Sequence, residues 1–332
     1  MQDVVSIRLK QPGLKKVKYK PGQYLSVVVR INGRKYVRPY SLSSAPEVDS
    51  FLEITIKRVA NGIVSNFLCD QVQLGDSIEL IEPMGDFGLN NEPTDAPLIF
   101  WGGGSGITPL ISIIKYELHK DPTHNIKLFY GNKSPKSTIF LSELNQLQAQ
   151  FPSNFKVWYF YSQSIEDEIS LPQRVKGRIE HERVIKSCEE HVTFKDALHF
   201  ICGPQGIMDT VSQMLKKLGV DEKNIHLEAF KIQLDEKLLE GVEDQKVTFV
   251  QNDTEVIVDV PKGKNILDAG LDFGLDIDYA CQQGSCLLCK AKLLNGDLKT
   301  IGAVAGVAEL DEDERVLCCG YPLSENIKIK LP

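Results

Sequence analysis

Five of the eight cysteines in this 332-residue chain lie in its last 52 residues, and their spacing constrains the fold more than any other feature. Cys281, Cys286 and Cys289 form a C-x4-C-x2-C loop, and the adjacent pair Cys318 and Cys319 follows later. Three thiolates from one loop and a fourth from elsewhere is the ligand pattern of a [2Fe-2S] cluster. Structural zinc is the alternative, but it favours two short cysteine pairs and fits this spacing less well. The sequence therefore predicts an iron–sulfur site near the C-terminus.

The rest of the sequence indicates where such a protein works. The N-terminal residues MQDVVSIRLKQ contain no apolar core and no small-residue cleavage site, so we expect no secretory signal. The longest uncharged stretch, residues 96–114, is broken by glycines and prolines and is unsuited to span a membrane. A formal charge of −7 favours neither nucleic acid nor a membrane surface as a partner. We expect a cytoplasmic protein with no membrane span and no nucleic-acid partner.

The chain divides into three regions that differ in their sequence pattern, with a charged segment before the last. Residues 1–95 contain short β-branched segments such as YLSVVVRI and FLEITIKRV between turn signals, which predicts an antiparallel β-barrel or sandwich. Residues 96–230 alternate apolar strands with helical stretches, which is typical of an α/β domain with a parallel sheet. Residues 231–245 are charged and predict a linker, and a third domain is expected over 246–332.

Two further clusters suit a nucleotide cofactor. The sequence RPYS at 38–41, followed by NGIVSN at 61–66, combines a cation, an aromatic ring and hydroxyls, which suits a phosphate and a flat ring. The alternative is a surface arginine and a half-buried tyrosine on a barrel. The sequence LIFWGGGSGITP at 98–109 runs from a strand into a glycine-rich turn, with Thr108 as the expected cap of a helix that starts at Pro109. Such a turn admits a diphosphate, although a turn with no ligand is possible and the G-x-G-x-x-G fingerprint is missing.

These motifs together resemble a known family. RPYS, the GGGSGITP turn, ICGP at 201–204 and EAF at 228–230 resemble the ferredoxin–NADP reductase superfamily, and the cysteine loop resembles plant-type ferredoxins. The domain order resembles the reductase components of bacterial multicomponent oxygenases. This resemblance implies a multidomain fold: an FAD-binding antiparallel β-barrel, an NAD(P)-binding parallel-sheet domain and an α+β β-grasp ferredoxin domain. The implied cofactors are FAD, a [2Fe-2S] cluster, and NADPH or NADH.

The resemblance also implies roles for single residues. Arg38 would hold the flavin diphosphate, Tyr40 would stack on the flavin ring, and Ser41 would hydrogen-bond near its N5 atom. The other implied flavin contacts are Lys57, Gly62, Val64 and Ser65, and the implied nucleotide contacts are Gly103, Gly104, Gly106, Thr108, Cys202, Gly203 and Pro204. Cys202, Glu228 and Phe230 would face the nicotinamide and flavin, so they join Ser41 as the candidate catalytic residues. The family pattern V-L-x-C makes Cys319 the fourth cluster ligand and leaves Cys318 spare.

Two departures from the family pattern lead to expectations about the first barrel strand and about the nicotinamide cofactor. The chain before PGQYLSVVV is short, so the first barrel strand is expected to be trimmed or missing. Ser162 and Gln163 stand where NADP-dependent members often have a Ser-Arg pair. Lys133 and Lys136 are nearby substitutes for that arginine, which favours NADPH slightly over NADH.

The cofactor set predicts a function. A nicotinamide gives up two electrons as hydride and an iron–sulfur cluster takes one, and a flavin converts between the two. We therefore expect an NAD(P)H-dependent electron transferase that serves an oxygenase, hydroxylase or desaturase. The alternatives are a stand-alone NAD(P)H reductase of a soluble carrier and a non-enzymatic zinc- or cluster-binding redox sensor.

The last domain concentrates the negative charge of the chain. Residues 246–332 hold 9 Lys plus Arg and 14 Asp plus Glu, a net charge of −5. Acidic residues precede the cysteine loop and face either a basic acceptor or solvent: Asp268, Asp272, Asp276 and Asp278.

Overall fold

The computed structural model of the chain describes residues 3–10, 17–89, 94–163, 173–188, 194–230, 234–252, 254–302 and 310–332. These residues form two compact units. The N-terminal unit comprises Met1–Val29 and Tyr40–Phe230, and the C-terminal unit comprises Arg30–Pro39 and Lys231–Pro332. Within the described ranges, every helix is too short or too polar to cross a membrane.

The first part of the chain forms an antiparallel β-barrel with one helix. Its elements are β1 (Val4–Leu9), β2 (Tyr24–Ile31), β3 (Arg34–Ser41), β4 (Leu52–Lys57), α1 (Ile63–Asp70) and β5 (Glu79–Met84). The strand order is β3-β2-β5, and β1 pairs with β4 along its whole length. The expectation that the first strand is trimmed or missing is therefore wrong. The sequence does not reveal this strand, because exposed residues alternate with half-buried residues along it and it contains no apolar run.

The second part of the chain forms a six-stranded parallel sheet. Its elements are β6 (Leu98–Gly103), α2 (Ile107–Lys120), β7 (Ile126–Asn132), α3 (Leu141–Gln150), β8 (Phe155–Tyr161), β9 (Arg174–Lys176), α4 (His181–Cys188), β10 (Leu198–Cys202), α5 (Gln205–Lys217) and β11 (Ile225–Glu228). The strand order is β11-β10-β6-β7-β8-β9. Alternate residues of β6 enter two separate apolar cores, one on each face, which is why the strand reads as a continuous apolar run. The chain continues from β6 to β7 on one side and returns to β10 on the other, so a crevice opens at the carboxyl ends of β6 and β10.

Buried polar contacts join the barrel to the parallel-sheet domain within the N-terminal unit. The Ser112 hydroxyl on α2 donates to the backbone carbonyl of Ser44 at 2.6 Å. The Lys115 ammonium, which is buried, lies 2.8 Å from Asp49 and 3.1 Å from Glu143. Breaking one partner of such a buried charge cluster is costly, so these contacts hold the two domains in one fixed arrangement.

The last part of the chain forms a mixed sheet with one helix. Its elements are β12 (Gln245–Gln251), β13 (Thr254–Val260), α6 (Ile266–Phe273), β14 (Lys290–Asn295), β15 (Leu298–Thr300), β16 (Glu314–Val316), β17 (Gly320–Pro322) and β18 (Ile327–Lys330). The main sheet has the order β13-β12-β18-β14-β16, and β15 pairs with β17 beside it. The Asn265 side chain caps α6 by accepting the Asp268 amide, and Gly274 ends the helix at a φ of 103°.

The charged segment before β12 also contributes to this fold. Val242 is fully buried and packs with Ile301 and Tyr321. The end of the predicted linker is therefore part of the C-terminal unit rather than a free connection.

Candidate nucleotide and iron–sulfur sites

The glycine-rich turn after β6 and the turn after β10 touch at their backbones. A Cβ atom on Gly106 would lie 2.1 Å from the Cys202 carbonyl oxygen, and a Cβ on Gly203 would lie 2.9 Å from the Gly103 amide nitrogen. Only glycine permits so close an approach. The Tyr130 hydroxyl donates to the Gly104 carbonyl at 2.8 Å and supports the turn from below. The two turns thus form one rigid floor at the carboxyl ends of the strands.

The helix after the glycine turn starts earlier than the sequence predicted. A short 3₁₀ turn at Gly104–Gly106 leads directly into α2 at Ile107, and Gly106 is its N-cap. Thr108 is therefore the second helical residue, and its hydroxyl donates to the Ser105 carbonyl at 3.0 Å. The predicted start at Pro109 is wrong because the 3₁₀ turn supplies the first helical geometry without a side-chain cap.

Two predicted positions, Cys202 and Glu228, lie side by side on neighbouring strands. Cys202 on β10 is in register with Gly102 on β6 and with Glu228 on β11. The Cys202 side chain is fully buried among apolar residues. Burial, together with the Glu228 carboxylate, raises the pKa of the Cys202 thiol well above its usual range, so this group is a neutral thiol. Phe230, two residues after Glu228, is 42% exposed.

A cavity of about 930 Å³ opens over this floor, and most of its charged groups are basic. The Lys57 ammonium, at the end of β4, reaches the glycine turn, 3.3 Å from where a Cβ on Gly104 would lie. The other charged and hydroxyl residues of the lining are Lys133, Lys136, Arg178, Asp3, Glu180, Ser134, Ser137, Ser162 and Thr210. A volume of this size and a basic lining suit a phosphorylated ligand.

The ends of β7 and β8 form one wall of this cavity. The Ser162 amide donates to the Asn132 carbonyl and the Gln163 amide donates to the Lys133 carbonyl, both at 3.0 Å. The following 3₁₀ turn is closed by Ser134 and Ser137 in a reciprocal capping box. Both lysines of this wall, Lys133 and Lys136, are exposed.

The residues assigned to the flavin lie on β3 and around the start of α1. Arg38, Tyr40 and Ser41 occupy the end of β3, and the Arg38 guanidinium donates to the Val37 carbonyl at 2.8 Å. Gly62 is the N-cap of α1, and the Ser65 hydroxyl in its first turn accepts the Val59 amide at 3.1 Å.

The segment at the start of α1 has room for a phosphate only if the residue at position 62 is small. A Cβ on Gly62 would lie 2.7 Å from the Ser65 hydroxyl oxygen. Backbone amides at the start of a helix are donors of the kind that a diphosphate requires.

The C-x4-C-x2-C loop curls so that backbone amides point at sulfur. Gln282, Gly284 and Leu287 adopt left-handed φ angles of 56°, 86° and 56°. The Gln283 amide donates to the Cys281 sulfur at 3.3 Å, and the Cys281 amide donates to the Cys286 sulfur at 3.5 Å. Amide donors to ligand sulfur are the expected second layer of an iron–sulfur site.

The cysteine thiols are packed against one another. Hydrogen bonds from the Cys286 and Cys318 thiols lower the pKa of Cys281 well below its usual range, because they stabilise its thiolate. In the described ranges, no three His, Cys, Asp or Glu side chains have the spacing of a site for a single metal ion. The donor set, three buried or half-buried loop thiols with a remote one and inward amides, fits the larger [2Fe-2S] core.

The fourth thiol in this group differs from the sequence prediction. The Cys318 side chain is the hydrogen-bond partner of both Cys281 and Cys289. The predicted ligand, Cys319, is fully buried, and its sulfur lies 3.7 Å from the Cys318 sulfur. Residues 317–319 form a 3₁₀ turn instead of an extended strand, and this turn directs the earlier of the two cysteines at the loop. The thiol that the structure brings to Cys281 and Cys289 is thus that of Cys318, whereas the sequence predicts Cys319 as the fourth ligand.

Comparison with known proteins assigns the three parts of the chain. The oxidoreductase FAD-binding domain matches residues 1–88, the oxidoreductase NAD-binding domain matches residues 100–213, and the 2Fe-2S iron-sulfur cluster binding domain matches residues 249–323. The chain is 30% identical over 328 residues to a component of the 1,2-phenylacetyl-CoA epoxidase of Escherichia coli (strain K12), covering 96% of this chain and 88% of that protein. The chain belongs to the ferredoxin reductase-type oxidoreductases.

Further relatives match nearly the whole length of the chain. The ferredoxin reductase component of 3-ketosteroid-9-alpha-monooxygenase from Mycobacterium tuberculosis (strain ATCC 25618 / H37Rv) is 30% identical over 331 residues, covering 95% of this chain and 86% of that protein. The solved structure of phthalate dioxygenase reductase matches with a TM-score of 0.65 at 24% identity, covering 99% of this chain and 93% of that one. The predicted three-domain fold and the FAD, nicotinamide and [2Fe-2S] domains are thus confirmed.

The structure adds residues to this reductase that its sequence did not reveal. Arg178 lines the nucleotide cavity from the loop after β9, and Tyr130 supports the glycine turn from β7. Neither residue lies in a motif, so the only available signal was the general basic and aromatic character of the carboxyl ends of the strands.

Proposed function

We propose that the reductase passes electrons from NAD(P)H through FAD and the [2Fe-2S] cluster to a terminal oxygenase component. The proposal rests on the presence of three domains in one chain: an NAD-binding domain for the hydride donor, an FAD-binding domain for the hydride acceptor, and a 2Fe-2S domain for a one-electron carrier. Bound flavin supplies the conversion of a two-electron hydride into single-electron transfers. The FAD-binding match favours this function over that of a zinc-binding sensor.

The proposed domain limits follow the sequence textures. The flavin domain covers residues 1–95, the nucleotide domain 96–230 and the [2Fe-2S] domain 246–332, with 231–245 between them. Arg38 and Ser65 hold the flavin diphosphate, Tyr40 stacks on its ring and Ser41 hydrogen-bonds beside its reactive nitrogen. Lys57, Gly62 and Val64 complete the contacts.

The nicotinamide nucleotide is proposed to bind on the floor made by the two turns. Gly103, Gly104, Gly106 and Thr108 admit its diphosphate, because the backbone is open at the start of α2. Gly203 and Pro204 close the opposite turn.

The residues beside the hydride position the reactants rather than react with them. The neutral, buried Cys202 thiol fixes the floor under the nicotinamide, the Glu228 carboxylate orients the carboxamide side, and the exposed Phe230 ring covers the flavin until the nicotinamide displaces it. Small errors in such positioning cost large factors in rate.

The cluster is proposed to be held by Cys281, Cys286, Cys289 and Cys318. The basic wall at Lys133, Lys136 and Arg178 favours NADPH over NADH, because only NADPH carries an additional phosphate for these cations. We further propose a cytoplasmic protein whose acceptor is an oxygenase, since the relatives in E. coli and M. tuberculosis are components of an epoxidase and a monooxygenase. A hydroxylase or a desaturase requires electrons from a reductase in the same way as an oxygenase does. A soluble carrier is the second candidate acceptor.

Cofactor content and one-electron activity test the proposal together. Purified protein should contain one FAD and two irons per chain and should reduce a one-electron acceptor such as cytochrome c with NADPH. Cys289→Ser should lose iron and cytochrome reduction but keep FAD and flavin reduction. A parent protein without flavin, or a Cys289→Ser variant with undiminished cytochrome reduction, would show the proposed route to be wrong. Co-purification from the native cell under reducing conditions then separates an oxygenase from a soluble carrier.

A further inference from the structure

The loop that follows β3 is fixed to the barrel by buried hydrogen bonds. We call residues 42–49 the anchor loop, which begins directly after Ser41, a residue proposed to bind FAD. The Ser43 amide donates to the Glu53 carbonyl at 2.8 Å, and the Glu53 amide donates to the Ser44 hydroxyl at 3.0 Å. Both serines are fully buried. The anchor loop is therefore tied to β4 and keeps its position relative to the barrel strands.

Helix α2 of the parallel-sheet domain contacts the anchor loop through two side chains on one helix face. The Ser112 hydroxyl donates to the Ser44 carbonyl at 2.6 Å, and the Lys115 ammonium lies 2.8 Å from the Asp49 carboxylate. Asp49 also accepts the Ala45 amide at 2.7 Å, which orients the carboxylate. The side chains of Lys115 and Asp49 are only 7% and 19% exposed, so solvent screens this ion pair little. Loss of one partner would leave a buried charge, which is strongly unfavourable.

The N-terminal end of the same helix belongs to the floor of the nucleotide cavity. Helix α2 begins at Ile107, and its N-cap is Gly106, the residue packed against the Cys202 carbonyl. Lys115 lies about two helical turns further along. A helix is a rigid element over this distance, so a shift of Lys115 relative to the barrel also shifts the floor.

Lys115 has a second acidic partner that does not belong to the barrel. The Glu143 carboxylate on α3 lies 3.1 Å from the ammonium, and its side chain is 37% exposed. Both α2 and α3 belong to the parallel-sheet domain, so this ion pair stays within one domain. Of these two carboxylates, Asp49 alone connects Lys115 to the barrel.

We propose that Lys115 is a positioning residue for hydride transfer from the nicotinamide nucleotide to the flavin. Its ion pair with Asp49 fixes the nucleotide floor relative to the end of β3, where Ser41 is assigned to the flavin. A hydride leaves the nicotinamide with two electrons and is taken up by the flavin, and an error of about 1 Å in such an approach costs on the order of 100-fold in rate. This inference rests on the proposed function and adds a residue that is assigned to neither cofactor.

Two matched substitutions in the full-length protein separate the contact with the barrel from the contact within the domain. Asp49→Asn removes the charge that Lys115 faces on the barrel and keeps an acceptor for the Ala45 amide. Glu143→Gln makes the same change on the other side of the ammonium. In anaerobic stopped flow with saturating NADPH, Asp49→Asn should slow flavin reduction roughly tenfold or more, whereas Glu143→Gln should keep the parent rate.

The affinity for NADPH distinguishes positioning from binding in the same experiment. Both variants should keep the parent dissociation constant for NADPH, because the floor that receives the nucleotide lies wholly within the parallel-sheet domain. NADPH deuterated at the transferred position should slow the measured phase, which identifies that phase as hydride transfer.

Lys115→Met tests the ammonium itself, because methionine keeps the length of the side chain without its charge. This variant should slow flavin reduction roughly tenfold or more, and hydrogen exchange of the peptide covering the anchor loop should accelerate. Lys115→Arg should recover part of both losses. Lys120→Met is the matched control, since Lys120 is an exposed lysine of the same helix whose ammonium lies over the Tyr116 ring.

A parent rate of flavin reduction in Asp49→Asn or in Lys115→Met would overturn the proposal. Equal losses of rate in Asp49→Asn and Glu143→Gln, or a loss that saturating NADPH abolishes, would also overturn it. If Lys115→Met does not retain flavin, Ser112→Ala supplies the second test, because it removes the 2.6 Å hydrogen bond and keeps the ion pairs. Flavin reduction should then slow severalfold, and a parent rate would overturn the proposal.

Failure of the proposed function gives a different result. A parent protein whose flavin is reduced by neither NADPH nor NADH would refute that function. Hydrogen exchange of the anchor loop in Lys115→Met and Lys120→Met would still report on the contact between α2 and the barrel.

Discussion

At the scale of single residues, Cys318 and Cys319 show what a pattern of side chains leaves undecided. The spacing of Cys281, Cys286 and Cys289 predicts three ligands, because all three lie in one short loop whose geometry follows from the spacing itself. The remote ligand depends on the backbone that presents it. A 3₁₀ turn at 317–319 turns Cys318 toward the loop, and no local sequence signal distinguishes that turn from a strand.

Serine substitution of each cysteine tests this assignment. Cys318→Ser should lose the cluster, because it removes a thiolate from the contact with Cys281 and Cys289. Cys319→Ser should retain two irons per chain, because Cys318 is the thiol that hydrogen-bonds to Cys281 and Cys289. Iron analysis and the electron paramagnetic resonance signal of the reduced protein measure the outcome. The reverse result, with iron kept in Cys318→Ser and lost in Cys319→Ser, would restore the sequence-based assignment.

The buried ring of His199 makes the free energy of unfolding depend on pH. The Trp101 indole donates to its Nδ1 atom at 3.1 Å and its Nε2 atom lies 2.8 Å from the Phe194 carbonyl, so the buried ring is neutral. Burial lowers the pKa of His199 from 6.5 to about 4. Between these values the unfolded chain binds the proton and the folded chain does not, so stability falls as pH decreases from 6.5 to about 4.

His199→Gln preserves a donor and an acceptor but cannot titrate. The parent should lose on the order of 3 kcal/mol more than this variant over that interval, at about 1.36 kcal/mol per pKa unit. Denaturant unfolding at several pH values measures the difference. Parallel curves for the two proteins would show that His199 is not the titrating group.

At the scale of structural elements, the strand ends and turns create the nucleotide site. The alternation of apolar strands and helices predicts the parallel sheet well, because both of its faces are buried and each strand reads as an apolar run. The meeting of the β6 and β10 turns is a long-range contact, and glycine content alone gives no partner for it. The same limit applies to the hydrogen bond from the Val37 amide to the Tyr279 hydroxyl, whose partners are separated by 242 positions.

Gly106→Ala tests the contact between the two turns. Its new methyl group would stand 2.1 Å from the Cys202 carbonyl oxygen, so the backbone must move at a cost of roughly 1–3 kcal/mol. Nicotinamide binding and thermal stability should both decrease. Gly206→Ala is the control, because it also adds a methyl group near this floor but meets no atom within 4 Å. Equal stability and equal NADPH affinity for the two variants would contradict the described floor.

The two lysines that follow β7, Lys133 and Lys136, predict that the protein prefers NADPH to NADH. Replacing Lys133 and Lys136 together by alanine should raise the KM for NADPH at least tenfold, since a lost charge-assisted hydrogen bond is worth roughly 1.5–3 kcal/mol. The KM for NADH should change little. Lys156→Ala is the control, because it removes the same charge from the opposite end of the neighbouring strand β8. A parent that prefers NADH, or a double variant weakened equally for both cofactors, would exclude these lysines as the discriminating residues.

At the scale of the whole molecule, the order of domains carries the function more firmly than any residue does. The sequence predicts that order because each domain has its own texture or motif, and the family matches confirm the three domain types. The partner protein has no comparable signature, because electron-transfer contacts are small and transient surfaces.

Anaerobic stopped-flow mixing of the purified protein with NADPH is the most direct test of the central claim. Flavin absorbance and the freeze-quenched resonance signal of the reduced cluster are followed in the same sample. The account predicts that flavin bleaches first, that the cluster signal then rises in the same chains, and that Cys318→Ser shows only the first phase. Flavin that is reduced fully while an intact cluster stays oxidised, or a cluster that is reduced before the flavin, would contradict it.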